Sequence, residues 1–369
     1  MTALHATTRD AEPALDPGTQ VLTYRYGFEA GASCSIRAPS SLHHDLIGLV
    51  GPYVSVGPDG RARRRLSLRV CTPEEIHDAL ESLGAAPFHG SDYHVQRHGS
   101  VEVVLHHRYS QLYQVVVFGA EEITVLIPGA APTPVPIVAA RVVRNIIVAD
   151  RLAQGAVLVH GSSFAWAGNG VVVLGPKFAG KTTMLCAALS DGASFISNDR
   201  TLLDGAHMMG LPVAVGVRRR TLEHFPQLAP FLTAGTASVY EAMEAPNAGR
   251  ITLPPQGLTS AFGCRITPRA RLKGIILAER IAGTRARLEA VPPDDLPGRL
   301  AEHVMPSGDV NQPYWTAILA RARVDRPEPG GAFPPLRPAV AAFRLRVGEF
   351  ALEEAVAHLR RVASGETSS

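Results

Sequence analysis

The sequence is short of lysine, of paired cysteine, of net charge and of long apolar runs, and each shortage closes off a class of function. Of 36 basic residues among 369, only Lys177, Lys181 and Lys273 are lysines. The Arg-, Ala- and Pro-heavy composition makes arginine counts uninformative, so the lysine positions carry more weight. The formal charge is +3, from 36 basic against 33 acidic side chains, too little for a sequence-wide field that grips nucleic acid or an anionic membrane. Cys34, Cys71, Cys186 and Cys264 stand alone, with no C-x-x-C pair and no histidine at zinc spacing, which argues against a disulfide framework or a zinc site. No stretch reaches the ~18 consecutive apolar residues of a spanning helix. Residues 1–20 also lack the basic segment and apolar core of a secretory signal. A cytoplasmic protein with reduced thiols is expected.

What is present is ordinary globular material, 46% hydrophobic and 19% charged, which excludes wholesale disorder and coiled-coil or collagen-like architecture. Residues 1–20, with Pro13 and Pro17, read as a loose tail. Residues 21–136 read as an α+β module. Strands are expected at Val21–Phe28, Arg65–Val70, Val101–Arg108, Gln114–Phe118 and Glu122–Ile127, the last three as a β-meander. Thr72-Pro73-Glu74-Glu75 opens a helix to about Leu83, with Thr72 as cap and Glu75 at the capping-box position. The basic run Arg61 to Arg65 follows Pro58-Asp59-Gly60 and reads as a solvated turn.

Pro128, Pro132, Pro134 and Pro136 mark the boundary to a second unit, residues 137–369. Val138–Leu152 has helical spacing, Ile275–Ala278 reads as a short strand and Leu352–Val362 as a closing amphipathic helix. Pro-rich Val291–Pro297 and Arg326–Pro338 read as surface loops or linkers.

The chemistry concentrates in one stretch. Val171-Val172-Val173-Leu174 is a buried-strand run, followed by Gly175-Pro176-Lys177-Phe178-Ala179-Gly180-Lys181-Thr182, which satisfies G-x-x-x-x-G-K-[ST] at every fixed position. Glycines at 175 and 180 let backbone amides turn inward at phosphate oxygens, and the helix beginning near Lys181 adds its positive end. Lys181 is placed to reach the β- and γ-phosphates, with the Thr182 hydroxyl as Mg²⁺ ligand and Thr183 continuing the helix. Lys177 reads either as a solvated charge or as a second phosphate ligand. Downstream, strand Ala193–Ser197 delivers Asn198-Asp199-Arg200 to its carboxyl end, where Asp199 is suited to hold Mg²⁺ or accept a proton, or merely caps a turn. Upstream, Ala156–His160 reads as a strand. Gly168-Asn169-Gly170 is a turn signal that folds the preceding strand onto the loop strand as an antiparallel hairpin.

His160-Gly161-Ser162, Gly168-Asn169-Gly170, the loop Gly175 to Thr182 and Ser197-Asn198-Asp199-Arg200 together resemble the catalytic domain of HPr kinase/phosphorylase over about 40 residues. The resemblance implies an α/β fold with a P-loop domain of the HPr kinase and phosphoenolpyruvate carboxykinase type behind the amino-terminal α+β module. It also implies an ATP- and Mg²⁺-dependent transfer to a hydroxyl. The implied catalytic residues are Lys181, Asp199, His160 and the position of Asn198. Asn198 stands where the family carries an aspartate that accepts the hydroxyl proton, and an amide cannot act as a base. The glycine-rich signature of true HPr kinases is replaced by Leu211 to His224 with Arg218-Arg219-Arg220, which argues against HPr as acceptor and offers three arginines to grip an acidic acceptor.

The expected activity is therefore a kinase acting on a peptide, protein or small-molecule hydroxyl, akin to biosynthetic tailoring kinases. Assembly with copies of itself stays open. The alternative is a nucleotide-binding regulatory or scaffold protein with little transfer, which Asn198 keeps alive. A mechanochemical ATPase would require a later apolar strand ending in Asp-Glu, which is not found.

Overall fold

The computed structural model describes residues 20–28, 33–58, 60, 62, 64–85, 93–108, 111–129, 134–233, 250–305, 340–349 and 351–366. Residues 1–19 of the expected tail, two arginines of the Arg61 to Arg65 run and the Arg326–Pro338 linker lie outside them. The chain is mixed α/β and divides into two compact units, with the division inside one helix, after Ala139. Among the described residues no helix is long and apolar enough to cross a membrane.

The first unit holds residues 20–27, 33–48 and 56–139, while Leu49–Ser55 belongs to the second. Its elements are β1 (Val21–Phe28), β2 (Ser33–Pro39), α1 (Ser40–Val50), β3 (Val54–Pro58), β4 (Arg64–Cys71), α2 (Pro73–Ser82), β5 (Tyr93–His98), β6 (Val101–Arg108), β7 (Gln111–Phe118) and β8 (Glu122–Pro128). They form a sheet in the order β3-β1-β2-β4-β8-β7-β6-β5. The expected meander is present, β6 to β8 pairing antiparallel in sequence. Two parallel pairings, β2 with β4 and β4 with β8, complete the middle. Helix α2 buries Ile76 and Leu80 against Val103, Leu105, Val115 and Leu126.

The expected capping box opens α2. The Glu75 amide donates to the Thr72 hydroxyl at 3.3 Å, and the Thr72 amide donates to the Glu75 carboxylate at 2.7 Å.

In the second unit α3 (Val135–Leu152) precedes β9 (Val157–Val159), β10 (Gly161–Trp166), β11 (Asn169–Leu174), α4 (Lys181–Ser190), β12 (Ser194–Ser197), β13 (Thr201–Asp204) and β14 (His207–Met209). There follow β15 (Val215–Arg218), α5 (Arg219–His224), α6 (Pro230–Thr233), β16 (Arg250–Leu253), α7 (Pro255–Phe262), β17 (Arg269–Arg280), β18 (Ala286–Ala290), α8 (Leu296–Ala301), β19 (Ala341–Val347) and α9 (Leu352–Ser364). The main sheet runs β12-β10-β11-β17-β14-β13-β9, and β19 pairs with the later half of β17 and with β18.

Strand β11 is buried on both faces, so its unbroken apolar run is what the position demands. It pairs antiparallel with β10, as the sequence implies, and parallel with β17. The hairpin turn falls earlier than the glycine triplet suggests. Its central residues are Ala167 and Gly168, at φ 47° and 80°, while Asn169 and Gly170 already belong to β11.

Two further expectations are corrected. The strand read at Ile275–Ala278 extends over Arg269–Arg280, its charged ends being held by pairing with β14 and β19. The stretch read as loop from Val291 starts a helix at Leu296, whose Leu300 is buried in the core below the sheet.

Helix α4 packs on β10 and α9. Arg360 of α9 donates to both the carboxylate and the carbonyl of Asp191, each at 2.7 Å, placing a cation at the carboxyl end of α4 where the helix dipole favours it.

Thr72→Ala removes half of the capping box and is expected to lower stability by about 1 kcal/mol in urea denaturation. An unchanged midpoint would show that the cap does not hold α2.

Candidate functional site

The loop between β11 and α4 is shaped by backbone that side chains cannot follow. A Cβ at Gly175, whose φ is 154°, would lie 2.6 Å from the carbonyl oxygen of Ala278 and 3.1 Å from the Ala179 Cβ. Only glycine lets the chain leave β11 this close to β17. Gly180 takes φ 86° as it enters α4, and Phe178 takes φ 73°, a conformation that costs a bulky residue energy and marks a site whose surroundings hold it in place.

Lys181 is buried, with its ammonium folded onto the loop, donating to the carbonyls of Gly175 at 2.7 Å and Pro176 at 3.0 Å. Withdrawal from water lowers its pKa, and the nearby Asp199 carboxylate opposes that shift. Among the described residues no carboxylate is in hydrogen-bond contact with this ammonium, and an incoming anion is a better partner than two carbonyls.

The two residues after β12 face different ways. Asn198 is fully buried, its Oδ1 accepting from Ser162 Oγ at 2.8 Å and from Thr182 Oγ1 at 3.4 Å, while its Nδ2 has no hydrogen-bond partner among the described residues. Asp199 is the centre of a γ-turn, with φ 63° and the Arg200 amide donating to the Asn198 carbonyl at 2.8 Å. The turn puts the carboxylate on the wall of an 840 Å³ cavity that Lys181, Thr182, Thr183 and His160 also line. Asn198 does not line it. Its amide sits beneath the loop and orients the Thr182 hydroxyl from below.

His160 follows β9 and donates its backbone amide to the carbonyl of His303 at 2.9 Å. Both imidazoles titrate below the ordinary histidine value of 6.5. Partial withdrawal from water is the largest cause for each. For His160, Lys181 pushes the same way and Asp199 opposes; for His303, Glu302 opposes while Lys181 and His160 add to the fall.

Arg218, Arg219 and Arg220 border the same cavity because β15 runs straight into α5 beside the loop. The Thr183 and Thr221 hydroxyls lie 2.9 Å apart and tie the first turn of α4 to α5. The Arg218 guanidinium lies 4.8 Å over the Phe178 ring centroid, and the Lys177 ammonium 5.3 Å. Arg219 pairs with Glu223 at 3.2 Å, both exposed. A second cavity, 960 Å³, shares Gly180, Thr183, Arg220 and Arg280 with the first and extends along α4 and α9, past Met184, Ala187 and Val356.

Of the residues singled out in the sequence, Gly175, Pro176, Ala179 and Asn198 shape the loop or support it, and the others meet in the first cavity. Arg280 and His303 were not foreseen. The signal for Arg280 is its place at the carboxyl end of a strand parallel to β11, where ligands of open α/β sheets bind. No motif points to His303.

The donor set suits a phosphate chain with Mg²⁺, which keeps several waters and takes few protein ligands. The glycine-cleared loop and the buried Lys181 fit phosphate, and Thr182 Oγ1 and the Asp199 carboxylate are the oxygens available to the cation. No family model matches this chain, and no curated protein matches it.

Because the folded state favours neutral His160, its contribution to stability is fully present above the ordinary value of 6.5 and is lost as pH falls toward the lowered folded value. His160→Gln, which cannot titrate, is expected to lose less stability than the parent between about pH 7.5 and about pH 5 in urea denaturation. Equal losses would show that His160 is not held neutral by the fold.

Proposed function

We propose that this chain is an ATP-dependent kinase with an α/β P-loop domain of the HPr kinase and phosphoenolpyruvate carboxykinase type, transferring the γ-phosphate to a hydroxyl of a peptide, protein or small molecule. The observation that carries the reading is the convergence of a buried loop lysine, the Thr182 hydroxyl and the Asp199 carboxylate on one cavity at the carboxyl edge of parallel strands. The resemblance to HPr kinase over Gly175 to Thr182 and Ser197 to Arg200 supports the same chemistry.

In this reading the loop amides and Lys181 bind the phosphate chain, with Lys181 at the β,γ end. The α-phosphate then falls toward Thr183, and the nucleoside toward the cavity along α4 and α9. Mg²⁺, when bound, neutralises charge on the β,γ oxygens and orients them. The acceptor oxygen bonds to the γ-phosphorus as the bond to the β,γ-bridging oxygen breaks, ADP leaves, and the hydroxyl proton goes to the Asp199 carboxylate. His160, neutral and beside Asp199, positions that carboxylate. Asn198 fixes Thr182 through its Oδ1 and takes no proton.

A second reading, nucleotide binding with little or no transfer, is favoured by Asn198 alone, since an amide occupies the place of the family's base. It requires Asp199 to be idle.

Incubation with Mg²⁺ and γ-labelled ATP in extract of the source cells, with the label followed by mass, separates the two. Lys181→Ala is expected to abolish transfer, and Asp199→Asn to slow it by about 10²- to 10⁴-fold, as loss of a positioned base does. Asn198→Asp is expected to bring no gain, because position 198 does not reach the cavity; a faster variant would move the base role there. Binding of ATP without any labelled acceptor supports the second reading.

A further inference from the structure

The first cavity is strongly cationic. Its wall carries Lys177, Lys181, Arg218, Arg219, Arg220 and Arg280 against one carboxylate, Asp199. Lys181 and the loop are committed to the nucleotide in the reading above, on which this inference rests. Glu223 engages Arg219 at 3.2 Å, and Glu349 stands 3.9 Å from Arg280. Among the described residues no carboxylate pairs with Arg218 or Arg220.

The state of Arg218 is specific. It ends β15, exposed, and its guanidinium is laid against the face of Phe178, itself 63% exposed in the left-handed loop conformation. The ring covers one side of the cation and leaves guanidinium N–H donors for a phosphate or carboxylate, which an arginine grips through paired bonds. The ring is exposed, belongs to the loop and lies against the arginine.

We infer that Arg218 and Arg220 form an oxyanion subsite for the acceptor, so that the hydroxyl substrate carries a phosphate or carboxylate group beside the oxygen that is phosphorylated, and that Phe178 is the positioning residue of this subsite. Arg220, which lines both cavities, closes the subsite on the nucleotide side. The subsite also ties acceptor binding to the loop, because the residue that orients Arg218 belongs to the loop.

The test is calorimetric titration of the whole chain, first with the Mg²⁺ complex of the non-transferable analogue AMP-PNP, then, at saturation, with inorganic phosphate and separately with succinate. The inference predicts one further anion site per chain while AMP-PNP is bound, weakened about tenfold in Arg218→Gln and in Arg220→Gln, as loss of a charge-assisted bond implies. Phe178→Ala weakens it less, Phe178→Tyr restores it, and AMP-PNP affinity is unchanged in Arg218→Gln, while unchanged far-ultraviolet circular dichroism shows that all four fold. Tighter binding of phosphate or of succinate names the acceptor's anionic group. Anion binding that AMP-PNP abolishes, variants that bind anion like the parent, or an Arg218→Gln variant that loses AMP-PNP overturn the inference while leaving the kinase reading intact. Failure of the parent to bind Mg²⁺–AMP-PNP overturns the kinase reading, and this inference with it.

Discussion

Everything at the site depends on the parallel pairing of β11 with β17. That register sets Leu174, the last residue of β11, beside Leu277, so β17 runs on past it to Arg280 and the chain must leave β11 directly over the carbonyl of Ala278. The resulting contact admits no side chain at 175, which forces the loop to curl over the strand ends and presents its backbone there. The same pairing carries Arg280 to the rim and gives α4 its starting point. The antiparallel β10 on the other side places Ser162 under the loop, where it meets Asn198 and, through it, Thr182. The sheet supplies precision because its interior is apolar on both faces and closely packed, leaving the strand ends little freedom to shift.

The γ-turn at Asp199 is the second constraint. At this turn the amide of Asn198 is buried and Asp199 lines the cavity. Holding a non-glycine residue there costs of order 1 kcal/mol or more, offset by Ser197, whose hydroxyl donates to the Arg200 carbonyl and accepts from the Leu211 amide. In the proposed kinase this arrangement divides labour that a pair of carboxylates would share: Asn198 holds Thr182 without adding a buried charge next to a desolvated lysine, and Asp199 alone meets the acceptor.

Much of this was legible from residue types. The capping box at Thr72 and Glu75, the meander from Val101, the hairpin into β11 and the strand–loop–helix at Gly175 are local patterns, and the local chemistry decides them. What escaped was decided by partners distant in sequence. The strand read at Ile275–Ala278 stops short of the charged flank Arg269 to Lys273, yet pairing with β14 and β11 makes that flank strand. Arg280 was passed over for the same reason. The turn at Ala167–Gly168 was displaced because Asn169 and Gly170 carry a turn signature that pairing with Trp166 and Ala165 overrides. The γ-turn at Asp199 carries no composition signal, and His303 is brought to the site by long-range contact, its carbonyl accepting from the His160 amide.

In the proposed kinase this loop receives a nucleoside triphosphate with its γ end toward Asp199. The deciding measurement is a crystal structure of the chain with Mg²⁺ and AMP-PNP. The Lys181 ammonium is expected to leave the carbonyls of Gly175 and Pro176 for the β- and γ-phosphates, with the γ-phosphate facing Asp199 and the nucleoside in the cavity along α4 and α9. A nucleotide bound elsewhere, or a Lys181 still folded onto the loop beside an empty cavity, would contradict it.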